Sequence, residues 1–105
     1  MVILGVRKGE EMNSYKILVL SHEILVLSHT NKDSQYISEY FCKTFVSEIT
    51  KVINSRREVY IGDYHIRFVT YDGYHRKYRH GFRGLTITDH FLETSIDKYK
   101  KEKNV

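Results

Sequence analysis

Residues 24 to 45 read I-L-V-L-S-H-T-N-K-D-S-Q-Y-I-S-E-Y-F-C-K-T-F, and this stretch decides the fold. Ile24 to Leu27 is a short apolar run with a polar exit at Ser28-His29, the pattern of a buried strand. Thr30 can then cap a helix, with Asp33 three residues on as a short capping box. Ile37, Phe41, Phe45, Ile49 and Ile53 recur every four residues, and Tyr40, Val46 and Val52 widen the stripe. Lys32, Glu39, Lys43, Glu48 and Lys51 fall largely outside it. The spacing predicts one amphipathic helix of about six turns lying on a sheet. Cys42 sits beside the stripe as a small buried or half-buried thiol rather than a nucleophile, since no Cys/His signature surrounds it.

Just upstream the strand is duplicated. Residues 17 to 23 read I-L-V-L-S-H-E and residues 24 to 30 read I-L-V-L-S-H-T. Side chains alternate along a strand, so an odd offset puts the second copy on the opposite face of any single straight strand. One copy is expected in the centre of the sheet and the other at an edge or in a neighbouring hairpin. His22 and His29 are duplicated with their strands and are not expected to pair as ligands.

Downstream, Asn54 to Arg57 is expected to close the long helix. Glu58 to Ile61 and Tyr64 to Tyr71 alternate around Gly62-Asp63 and read as a hairpin. Ile66, Phe68 and Thr70 share one face, and Arg67, Val69 and Tyr71 share the other. Leu85 to Thr88 is a short strand. Asp89 to Lys101 is a helix capped by Thr88 or Asp89, with Phe91, Leu92, Ile96 and Tyr99 inward. The basic tail from about residue 98 is expected to fray. The order predicts an α/β (or α+β) fold. Residues 1–105 form one small single-domain sheet, with one long amphipathic helix packed on it and a C-terminal helix.

The 105 residues carry a formal charge of +4, which favours acidic partners. The single cysteine excludes an internal disulfide and fits a reducing, cytoplasmic compartment. No apolar run is long enough for a membrane span, so no membrane partner is expected.

Residues 71 to 84 read Y-D-G-Y-H-R-K-Y-R-H-G-F-R-G. Burying these unpaired cations would cost more than the rings return, so the segment must face outward. Arg76, Lys77, Arg79 and Arg83 suit phosphates, and Tyr74, Tyr78 and Phe82 suit bases. His75 and His80 add donors, and Gly81 and Gly84 allow sharp turns. The segment is expected to be a basic loop. Its partner is a nucleic acid (DNA or RNA) or an acidic protein surface, and a homodimer is allowed. Tyr and Arg are also enriched in protein hot spots, so a protein-interaction module, such as a small regulator or inhibitor, is the alternative.

Three pieces resemble part of the RecA-like core of nucleic-acid-dependent P-loop ATPases, notably phage terminase large subunits and helicases. Ile24-Leu-Val-Leu-Ser-His-Thr-Asn-Lys-Asp looks like their strand-to-helix segment after the nucleotide-binding helix. Ile66-Arg-Phe-Val-Thr-Tyr followed by Phe82-Arg-Gly-Leu is similar to their strand ending in an Arg-Gly turn. Leu85-Thr-Ile-Thr-Asp89 is placed like a Walker B strand, which implies Asp89 as a Mg²⁺-binding acid. The phosphate loop departs from that pattern. Gly5-Val-Arg-Lys-Gly9-Glu-Glu has suggestive glycines, but Glu10 stands where the Lys is needed. The resemblance therefore implies a remnant without ATPase activity, and neither catalytic residue nor cofactor is expected. Weaker groupings are Asp63, Asp72, Asp89 and Glu93 for a metal nuclease, and His75, His80 and His90 with Asp89 for zinc. Neither has a persuasive ligand spacing, and structural zinc usually recruits cysteines.

Overall fold

The computed structural model describes residues 22–78 and 81–103. In chain order they form β1 (Glu23–Ser28), α1 (Asn31–Thr44), β2 (Lys51–Ile53), β3 (Glu58–Ile61), β4 (Tyr64–Thr70), α2 (Tyr71–Lys77), β5 (Leu85–Thr88) and α3 (Asp89–Lys103). A short 3₁₀ turn, Asn54–Arg56, joins β2 to β3. The fold is mixed α/β, one five-stranded sheet in the order β2-β3-β4-β1-β5 with helices on it. β1 is parallel to β4 and to β5, whereas β2, β3 and β4 form an antiparallel meander.

β1 behaves as its composition requires. Ile24 to Ser28 are all buried, which a parallel interior strand covered on both faces demands. Thr30 accepts a hydrogen bond from the Asp33 backbone N–H at 3.0 Å and opens α1. The first copy, residues 17–20 with Ser21, lies outside the described residues, as do Gly5, Gly9, Glu10 and Glu11. The second copy fills an interior place in the sheet.

Alternation sorts the strands into two faces. Ile24 and Val26 of β1, Val59 and Ile61 of β3, and Ile66 and Phe68 of β4 point to the core. There they meet Ile37, Phe41 and Phe45 from the first helical region and Leu92 and Ile96 from α3. Phe41 packs its ring against Phe45 at 4.9 Å and Phe68 at 5.8 Å. Burying an aromatic side chain contributes roughly 2–3 kcal/mol, so this trio anchors α1 to the sheet.

Two expectations need correction. The long helix stops at Thr44 instead of continuing to Ile53, and Lys51–Ile53 is an edge strand. Val46, Ile49, Thr50, Val52 and Ile53 are β-branched, which lowers helix propensity and suits a pleated sheet. Thr50 closes the alternative: its backbone N–H donates to the Tyr60 carbonyl at 2.8 Å, and its hydroxyl accepts from the Gly62 N–H at 3.1 Å. The basic segment is not a loop throughout, because Tyr71–Lys77 is helical. The C-terminal helix, α3, runs through Lys103.

α1 and α3 are joined by two tyrosine–carboxylate rungs. Tyr36 donates to Glu93 at 2.8 Å, and Tyr40 donates to Asp97. The Lys100 ammonium sits 4.2 Å from the Tyr40 ring centroid. The hydrogen bond to Asp97, with burial and the Asp97 charge, pushes the Tyr40 pKa up to about 12 from its ordinary 10.0. The fold therefore favours the neutral phenol. This contribution is fully present below pH 10 and is lost as pH rises through 12. A denaturation midpoint measured at pH 9 and at pH 11.5 should fall, and Tyr40→Phe should shrink the fall. An equal fall in Tyr40→Phe would assign the alkaline loss elsewhere.

Candidate nucleic-acid interface

The chain runs from β1 through α1 to β4 in one direction and from β4 through α2 back past β1 to β5. Right-handed crossovers then place α1 and α2 on opposite faces of the sheet. The contacts agree. Arg67 alternates away from Ile66 and Phe68, and its Nη1 donates to the Tyr78 hydroxyl at 2.6 Å. The residue that ends α2 thus lands on the face away from α1 and α3.

The start of α2 follows from its sequence. Thr70 leaves β4 extended and its hydroxyl accepts from the Gly73 backbone N–H at 3.0 Å, capping the helix. The last turn carries His75, Arg76 and Lys77, cations where the helix dipole favours them. Gly81 takes φ +104°, a backbone that L side chains rarely adopt. Gly84 is needed for space: a Cβ there would lie 2.2 Å from the Glu23 carbonyl oxygen and 2.6 Å from the Phe82 ring. The segment is therefore pressed against the start of β1 before it enters β5.

The sequence-predicted residues divide into two groups. Tyr74, Tyr78 and Phe82 are half-buried and form a run of rings, Tyr74 to Tyr78 at 5.7 Å and Tyr78 to Phe82 at 5.4 Å. Arg76, Lys77 and Arg83 are exposed. Arg79 and His80 lie outside the described residues. Arg76 reaches Asp72 at 3.5 Å, but both side chains are mostly solvent-exposed, so that pair is worth little and a phosphate can displace it. The aromatic run fixes the segment, and the cations stand outward from it.

Beneath this segment is a polar network that sequence reasoning missed. Arg67 Nη2 donates to Glu23 Oε1 at 2.9 Å. His65 lies 3.3 Å from Glu23 and 3.1 Å from Glu58, and Arg56 pairs with Glu58 at 3.3 Å. Tyr60 stacks on His65 at 4.3 Å, with Lys51 over the outer ring. Burial opposes the Arg67 charge, but the Tyr78 hydroxyl and the Glu23 and Glu58 carboxylates together raise its pKa above the ordinary value. The available signal was the alternation itself, which sets polar Glu58, His65 and Arg67 against apolar Val59, Ile66 and Phe68.

Elsewhere the chemistry is thinner. Adjacent parallel strand ends leading to helices on opposite faces make a crevice where open α/β sheets bind ligands. Here the His29 and Tyr71 rings meet across that position, with centroids 4.9 Å apart. Asp89 and Glu93 line a shallow pocket of about 260 Å³ with Asp33, Tyr36, Ile37 and His90. Asp63 sits in the β3–β4 turn and Asp72 on α2, and neither lines that pocket. Among the described residues no three His, Cys, Asp or Glu side chains gather to hold a metal ion. Burial, with Glu39 nearby, pushes the Cys42 thiol pKa up, so its thiolate is scarce at neutral pH. No helix among the described residues is long and apolar enough to cross a membrane.

Comparison with protein families, curated proteins and solved structures finds no match.

Proposed function

We propose that the chain is a small, basic, non-enzymatic nucleic-acid-binding protein that contacts phosphates through Arg76, Lys77, Arg79 and Arg83. The observation that carries this reading is the anchoring of Tyr78 to Arg67, which holds exposed Arg76 and Lys77 on an ordered scaffold. Four cations face one carboxylate, Asp72, across residues 71–84. Preorganised cations bind the phosphate backbone with less ordering cost than a free tail. Tyr74 and Phe82 are the rings best able to contact a base, since Tyr78 is committed to Arg67.

That commitment also supports a second reading. Rings packed on one another beside exposed arginines suit an acidic protein surface, where Tyr and Arg act as hot spots. Mobility shift of single- and double-stranded DNA and RNA at physiological salt separates the two. The first reading expects a shift with at least one of these polymers; no shift with any would remove nucleic acid as the partner.

The resemblance to ATPase cores brings no nucleotide chemistry in this proposal. Phosphoryl transfer needs positioned cations at the β- and γ-phosphates, and Glu10 and Glu11 would repel them. Isothermal titration should show no ATP binding at millimolar nucleotide with Mg²⁺, and phosphate release should stay at background with or without nucleic acid. Saturable ATP binding abolished by Asp89→Ala would instead restore an enzyme.

A further inference from the structure

Two segments of the chain offer the same side chains to the place that β1 fills. In that place Ile24 and Val26 face the core, and Leu25 and Leu27 point to the second face and are also buried. The strand pairs β4 on one side and β5 on the other. Residues 17–21 repeat Ile24–Ser28 identically, so none of these contacts distinguishes the two copies.

The residue just ahead of each copy does distinguish them. Glu23 pairs with His65 in the β4 register, and its carboxylate meets Arg67 at 2.9 Å and His65 at 3.3 Å. Ahead of the other copy the same place holds Lys16. With residues 17–21 in the sheet, Lys16 would face Arg67 and His65, and Arg67 would lose the Glu23 carboxylate. Arg67 is a quarter exposed and Glu23 nearly half exposed, so that exchange is only partly screened. The following connection acts in the same direction. From β1 to α1 the chain crosses only His29 and Thr30, whereas the other copy would need residues 22–30. Loop closure favours the shorter connection by roughly tenfold.

We propose that Glu23 is a register lock: its ion pair with Arg67 selects the second copy for the sheet and keeps residues 17–21 as an alternative β1. The strand place is degenerate in its apolar contacts, and one charge resolves the degeneracy.

The test exchanges the two charges in the full chain, Lys16→Glu with Glu23→Lys, and maps amide hydrogen exchange. The unaltered chain should protect Ile24–Leu27. In the exchanged chain the favourable pair moves to the first copy and a repulsive one to the second. Each change is worth roughly fivefold for a half-exposed pair, and the two together outweigh the loop factor. Slow exchange should therefore move to residues 17–20. A folded, exchanged chain that still protects only Ile24–Leu27 overturns the lock. Deletion of residues 17–23 keeps the proposal testable if the exchanged chain does not fold, because it sets Lys16 directly before Ile24. That variant should fold cooperatively with a lowered midpoint, and Lys16→Glu in it should raise the midpoint. No rise on Lys16→Glu, or a deletion variant wholly unfolded by circular dichroism, overturns the proposal.

Discussion

Arg67→Ala should lower folding stability by about 2–3 kcal/mol and loosen the α2 segment with it. The guanidinium donates to Tyr78 and to Glu23 from the same side chain, so it ties the basic segment to two strands. Alanine leaves the Glu23 carboxylate and the Tyr78 hydroxyl without that partner. Breaking a fully buried ion pair costs about 3–5 kcal/mol, and the partial exposure of Arg67 argues for the lower end or less. Arg67→Lys should recover only part, because a point charge cannot hold both acceptors as the planar fork does. Urea denaturation gives the midpoints, and amide exchange over residues 74–78 reports the anchor. An alanine variant within about 0.5 kcal/mol of the unaltered chain would show that the network contributes nothing to holding the segment.

This network is also where the sequence was least legible. The apolar half of the fold announced itself: Ile24 to Leu27, the Thr30 cap, the Ile37-Phe41-Phe45 stripe and the Leu85–Thr88 strand all follow from local periodicity. The long helix failed because a period of four continued by coincidence through Ile49 and Ile53. The competing interaction, pairing of β2 with β3, is non-local and leaves no mark on the helical stripe. The α2 helix was missed for a similar reason. Tyr71 to Lys77 contains Gly73 and reads as a strand end running into a basic loop, but the Thr70 cap and the return path past β1 make it helical. Among the candidate site residues, the exposure of Arg76, Lys77 and Arg83 was legible because free cations cannot be buried. The commitment of Tyr78 to Arg67 was not, since it joins residues whose meeting depends on the crossover.

Reversing charge on the segment should have the largest effect on binding. Arg76→Glu, Lys77→Glu and Arg83→Glu together remove three exposed cations that make no partly buried ion pair, so the fold should survive. Each lost phosphate contact forfeits the release of nearly one counterion, worth roughly fivefold at physiological salt. Three contacts amount to roughly a hundredfold, and the added carboxylates repel the polymer further. Fluorescence anisotropy at fixed salt should therefore show at least a hundredfold weaker binding with an unchanged circular dichroism spectrum. A loss below about fivefold would place the polymer on another surface of the protein.

Phosphate contacts by the cations of residues 76–83, as proposed, should set the salt dependence of binding. Affinity measured from about 50 to 300 mM salt should give a log–log slope near −3 for the unaltered chain, from four contacts. Arg76→Ala with Arg79→Ala should reduce that slope by up to about two. A slope unchanged by the double substitution would contradict the assignment.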